Sequence, residues 1–135
     1  MEGLGQRAPS MMLIHLRKVT QMPLFERRET VPETTPEEVQ ARLTQGDNLL
    51  LLDVREPAEF REGHVAGSRL APLDQLAFQL DDLPRDRQIV AICRSGNRSG
   101  VATAMLRRAG FDAVNMRGGM IDWVKRGLPV ERDGQ

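Results

Sequence analysis

Short apolar runs alternating with helical patterns predict an α/β fold with a mostly parallel central sheet and helices on both faces. Three observations carry this. The runs Leu49–Val54, Gln88–Ile92 and Ala113–Met116 are short and apolar, as buried strands are. Each is followed by a segment with helical spacing or helix-start residues. Strands that alternate with helices form βαβ units, whose connections are right-handed and whose sites lie at the carboxyl ends of the strands.

The elements follow in order. Thr35-Pro36-Glu37-Glu38 combines an N-cap, a proline at the first helical position and a glutamate at the capping-box position. The helix it starts runs through Val39 and Leu43 and stops near Gly46. Leu49–Val54 is a buried strand that ends in charge at Asp53. Pro57–Glu62 is a short helix closed by Gly63, and Ser68–Ala71 is a brief strand. Leu73, Leu76, Ala77, Leu80 and Leu83 predict a helix ended by Pro84. After the strand Gln88–Ile92 comes the loop Cys93–Arg98, then a helix over Ser99–Ala109 with Arg107 and Arg108 in its last turn and Gly110 as C-cap. Ala113–Met116 is the last strand. Gly118-Gly119 leads into a final helix through Trp123 to Arg126.

The chain has 135 residues, 40% hydrophobic and 28% charged, so a single soluble domain with its own core is expected. Residues 1–30, with Gly3, Gly5, Pro9 and Pro23 and no sustained periodicity, are expected to form a flexible N-terminal extension. The alternative is a short element near Met11–Val19 that docks on the domain or a partner. Residues 31–135 form the domain. Lys+Arg and Asp+Glu both number 19, a balance that argues against nucleic-acid binding. No run approaches the roughly 18 apolar residues of a membrane span, so no membrane partner is expected. One cysteine excludes an internal disulfide and a cysteine-cluster zinc site, and no metal or other cofactor is expected. The unpaired thiol suits a reducing compartment, and the N-terminus lacks a signal pattern, so a cytoplasmic location is expected.

That cysteine carries the chemistry. Cys93 follows the β-branched run Ile89-Val90-Ala91-Ile92 and opens the loop Arg94-Ser95-Gly96-Asn97-Arg98. A strand-loop-helix unit points its loop amides and the positive end of the helix dipole at the residue that starts the loop. That setting lowers a thiol pKa from about 8.5 toward roughly 3.5–7.5. The dipole alone supplies only about 0.3–1 kcal/mol, against 1.36 kcal/mol per pKa unit, so the amides and arginines must act together. Residues such as Arg94, Ser95 and Asn97 are poor core material, which sets aside a purely structural cysteine.

Cys93-Arg-Ser-Gly-Asn-Arg-Ser resembles the active-site loop of the rhodanese family of sulfurtransferases. Two further blocks resemble that family: Asp53-Val54-Arg55-Glu56-Pro57-Ala58-Glu59-Phe60 with Gly63–Ser68, and Gly118-Gly119-Met120-Ile121-Asp122-Trp123 with Gly127–Val130. The resemblance covers about Thr34 to Val130 and implies the rhodanese-like three-layer fold. It also implies a persulfide cycle. Cys93 takes sulfur from a donor such as thiosulfate and passes it to cyanide, a small thiol or a protein thiol. In that cycle Arg94, Ser95, Gly96, Asn97, Arg98 and Ser99 bind the donor and the carried sulfur. Four residues separate Cys93 from Arg98. Related phosphatases have one more, because a tetrahedral phosphate needs a wider cup.

Other residues have blander roles. Asp53 and Arg55 support the site, either by orienting the loop or through an Asp53–Arg55–Glu59 network that holds the fold. His64 is a structural hydrogen-bonding residue, Trp123 is core or site wall, and Met120 borders the pocket. Two rival functions stay open: a docking or regulatory module without activity, and an enzyme whose protein acceptor docks partly on residues 1–30.

Overall fold

The computed structural model describes residues 30–133. The expected extension over residues 1–30, including Met11–Val19, lies outside them except for residue 30. Among the described residues the sheet has five strands: β1 (Glu33–Thr34), β2 (Leu50–Asp53), β3 (Arg69–Leu70), β4 (Ile89–Ile92) and β5 (Ala113–Met116). Their spatial order is β1-β5-β4-β2-β3, and every neighbouring pair is parallel. The helices are α1 (Pro36–Thr44), α2 (Pro57–Glu62), α3 (Asn97–Arg108) and α4 (Gly119–Lys125). The α/β three-layer fold is therefore the one predicted.

Period-2 alternation along the strands divides the core into two. Leu50, Leu52, Ile89, Ala91 and Ala113 face one layer, where Ala102 and Leu106 of α3 cover them. Leu51, Val90, Ile92, Val114 and Met116 face the other, under Val39 of α1 and Met120 and Trp123 of α4. Trp123 is fully buried, and its Nε1 donates to the Pro129 carbonyl at 2.8 Å, which satisfies its one polar atom. The capping box of α1 is present: Glu38 N donates to Thr35 Oγ1 at 3.2 Å and Thr35 N to Glu38 Oε1 at 3.0 Å.

Three local expectations are corrected. Leu73–Leu83 is not one helix but two 3₁₀ segments, Leu73–Phe78 and Leu80–Asp82. Leucines three apart suit three residues per turn. Asp81 and Asp82 near the carboxyl end also oppose the dipole of a longer helix. α3 begins at Asn97 instead of Ser99. β1 was not foreseen, because two residues carry no periodicity. No helix of the described residues is long and apolar enough to cross a membrane.

Candidate active site

Cys93 directly follows β4 and continues the face of Ile89 and Ala91, so its side chain enters the layer covered by α3. It is 1% exposed. Three residues later Gly96 takes φ +106°, a left-handed turn that also brings it against Gly118: a β-carbon there would lie 3.2 Å from Gly118 N. Only glycine meets both conditions cheaply. The turn swings the Gly96 amide onto the sulfur, N to Sγ 3.0 Å. α3 then starts with no side chain capping it. The first-turn amides of a helix have no intrahelical acceptor, and those of Asn97, Arg98 and Ser99 add the positive dipole end beside the thiol. The cup is therefore shorter than the six-residue loop read from sequence. Asn97 and Arg98 belong to the helix.

Ser99 is fully buried, and its Oγ lies 3.2 Å from Cys93 Sγ. The same oxygen lies 2.6 Å from Asn115 Oδ1. Asn115 stands in β5 beside Ala91, on the face that α3 covers. Its Nδ2 donates to the Gly96 carbonyl at 3.1 Å and, more weakly, to Glu33 Oε2 at 3.4 Å.

The back of the loop is held by α4. Met120 N donates to the Cys93 carbonyl at 2.8 Å and Ile121 N to that of Arg94 at 3.0 Å. Gly119, at φ +57°, passes so close that a β-carbon would overlap both carbonyls.

The two arginine–carboxylate pairs differ from the expected network. Asp53 and Arg55 form a buried bidentate pair, with NH2 to Oδ2 at 2.8 Å and Nε to Oδ1 at 2.9 Å, and Arg55 also donates to the Gly63 carbonyl. Glu59 is not bonded to either. It takes two bonds of 2.8 Å from Arg98 and so ties α2 to the first turn of α3. Those bonds come first in lowering the Glu59 pKa to about 2, against a smaller opposing effect of burial. They likewise raise that of Arg98, to which the nearby Cys93 charge also contributes. Arg98 is thus half of an ion pair, not a free cation waiting for an anion.

Arg94, Ser95 and Asn97 are exposed, and their side chains make no hydrogen bond among the described residues. Arg94 lines an open groove of about 590 Å³ with Met120, Ile121, Val124 and Lys125. Met120 therefore stands at the pocket border, as expected. His64 stacks on Phe60 at 3.7 Å, with Nδ1 2.7 Å from the Phe60 carbonyl, away from the sulfur's partners. Among the described residues no three His, Cys, Asp or Glu side chains are grouped to hold a metal ion.

Sequence reasoning missed Asn115 and the pairing of Glu59 with Arg98. Asn115 did leave a signal. It is the one polar residue of the four-residue strand Ala113–Met116, and a buried amide needs partners. The Glu59–Arg98 pair left none, since the two lie 39 positions apart.

The comparisons with known proteins agree with this geometry. The profile of the rhodanese-like domain matches residues 35–126. A sulfurtransferase of Allochromatium vinosum is 38% identical over 101 residues, which cover 74% of this chain and 94% of that one. Among solved structures, a rhodanese-related protein from Thermoplasma volcanium aligns with a TM-score of 0.70 at 31% identity, covering 74% of this chain and 97% of that one. A thiosulfate sulfurtransferase of Pseudomonas aeruginosa aligns with a TM-score of 0.71 at 28% identity, covering 78% of this chain but 21% of that one. A buried cysteine in a glycine-turned cup at the end of a parallel strand, a matching profile over most of the chain and a sulfurtransferase relative matched over nearly its full length together place this chain in the rhodanese family.

Proposed function

We propose that this protein moves sulfane sulfur from a small anionic donor such as thiosulfate to an external thiol or cyanide, through a persulfide on Cys93. The general role, rhodanese-like sulfur transfer, has the support of relatives named as sulfurtransferases. The single observation that carries the finer reading is the cup, in which Cys93 Sγ accepts the Gly96 amide at 3.0 Å beneath the start of α3.

In the first step the Cys93 thiolate attacks the outer sulfur of thiosulfate. The S–S bond to the sulfite group breaks, and sulfite leaves with the bonding pair. The transferred sulfur then carries the negative charge, where the loop amides and the helix dipole favour it. In the second step an acceptor thiolate or cyanide attacks that sulfur, and Cys93 leaves as thiolate. The protein undergoes no net oxidation. Arg94, exposed at the groove and next to Cys93 in the chain, is the cation assigned here to meet the donor. The acceptor is external, because Cys93 is the chain's one cysteine. A free thiol on this cycle suits a reducing compartment such as the cytoplasm.

Replacing the nucleophile tests the reading. Cys93→Ser should reduce thiosulfate-to-cyanide transfer below detection while leaving the thermal midpoint nearly unchanged. Retained activity in that variant would contradict the mechanism. Persistent failure of Cys93 to form a persulfide with any of several donors would favour the docking-module alternative.

A further inference from the structure

We infer that Asn115 is a positioning residue that competes with the Cys93 sulfur for the single proton of the Ser99 hydroxyl. The orientation of its amide follows from its partners. The Gly96 carbonyl and the Glu33 carboxylate, 3.1 and 3.4 Å away, are acceptors, so the atom that faces them is the nitrogen. Oδ1 therefore faces Ser99 and can only accept. The 2.6 Å contact between them uses the Ser99 proton. Ser99 has no second proton for Cys93 Sγ at 3.2 Å.

The state of the sulfur decides the outcome. As a thiol, Cys93 donates to the Ser99 oxygen, and the chain S–H to O–H to Oδ1 is complete. As a persulfide, Sγ carries neither proton nor charge, and Ser99 again stays on Asn115. Only the bare thiolate demands the Ser99 proton, and granting it leaves Oδ1, in a residue 4% exposed, without a donor. Asn115 thus disfavours the empty thiolate relative to the loaded persulfide and drives the cysteine toward taking up sulfur. The charged groups on the surrounding elements are Arg94 of the loop, Arg98 of α3 with its partner Glu59 of α2, the buried Asp53–Arg55 pair at the end of β2, and Glu33 of β1.

A double-mutant cycle read by the pH profile of Cys93 alkylation with iodoacetamide tests this. Asn115→Leu frees the Ser99 proton for the sulfur but also releases the Gly96 carbonyl. The second effect is common to both backgrounds and cancels. On the acid limb of the profile, Asn115→Leu in the Ser99 chain should be faster by about 10-fold than the same change in the Ser99→Ala chain would give. An equal factor in both backgrounds, or a coupling of opposite sign, overturns the inference. Asn115→Ala replaces the leucine if that variant does not fold. Ser99→Ala alone provides an independent arm. Because Asn115 holds the proton, that change should slow alkylation less than about 3-fold, and a larger slowing overturns the inference too. The inference rests on Cys93 as the reacting thiol. Alkylation needs no sulfur donor, so intact coupling with failed persulfide loading would count against sulfur transfer alone.

Discussion

The chain enters two helices by the same device and uses them for opposite purposes. β4 passes to α3 through Gly96 at φ +106°, and β5 passes to α4 through Gly118 at φ +82°. Neither helix has a side-chain cap. At α4 the early amides of Met120 and Ile121 are satisfied by the carbonyls of Cys93 and Arg94. At α3 the turn amide of Gly96 is aimed at a sulfur atom instead. A helix start satisfied by protein carbonyls is a brace. The same start left to a thiol is the candidate site, and here the brace holds that site's backbone.

Substitutions at Gly96 and at Gly119, which follows the Gly118 turn, should separate brace from site. Gly119→Ala is expected to have the largest effect, because its β-carbon meets backbone that cannot move aside and its φ is positive. A loss of about 3 kcal/mol or more in denaturant unfolding, together with loss of sulfur transfer, is expected. Gly96→Ala should instead damage chemistry more than stability. Strain of about 1–2 kcal/mol would accompany a loss of about 100-fold in transfer rate as the amide leaves the sulfur. If both variants lost stability equally and kept their rates in step, the division between brace and site would fail.

Arg98→Lys comes next. A lysine cannot reproduce the bidentate bond to Glu59, so α2 and α3 lose their tie. Because the pair is partly exposed, the stability loss should stay within about 1 kcal/mol. Transfer should slow modestly, raising KM for thiosulfate more than it lowers kcat if the pair only sets the shape of the cup.

The smallest effect is one of pH. Glu59 is held at about 2, below its usual 4.5, by its bonds to Arg98. A depressed carboxylate contributes stability that is fully present above the unfolded value and is lost as pH falls through the folded one. Unfolding midpoints should therefore drop between about pH 4.5 and pH 2, and Glu59→Gln should flatten part of that slope. Salt should weaken the effect, since both partners touch water.

What was legible in the sequence was local. The β-branched run before Cys93 and the polar, glycine-bearing residues after it mark a strand that ends at a reactive turn. Thr35-Pro36-Glu37-Glu38 marks a helix start as clearly, and its capping box forms. What was not legible depends on which strands become neighbours. Asn115 reaches the site because β5 pairs with β4 in a register that sets it beside Ala91, two positions before Cys93. Glu59 reaches Arg98 because α2 packs beside the start of α3. The network expected for Asp53, Arg55 and Glu59 keeps only an electrostatic link between Arg55 and Glu59 for the same reason: the guanidinium that bonds Glu59 lies far away in sequence. The leucine spacing at Leu73–Leu83 was ambiguous in kind, since a 3₁₀ path and an α-helix share several of those positions.

On the proposed cycle, the cup around Cys93 holds one sulfur atom. Mass spectrometry of the intact protein after thiosulfate treatment and desalting tests it most directly. The intact protein should gain one sulfur, mapped to Cys93, absent from Cys93→Ser and removed by cyanide. No gain on the native chain, or the same gain on Cys93→Ser, would contradict it.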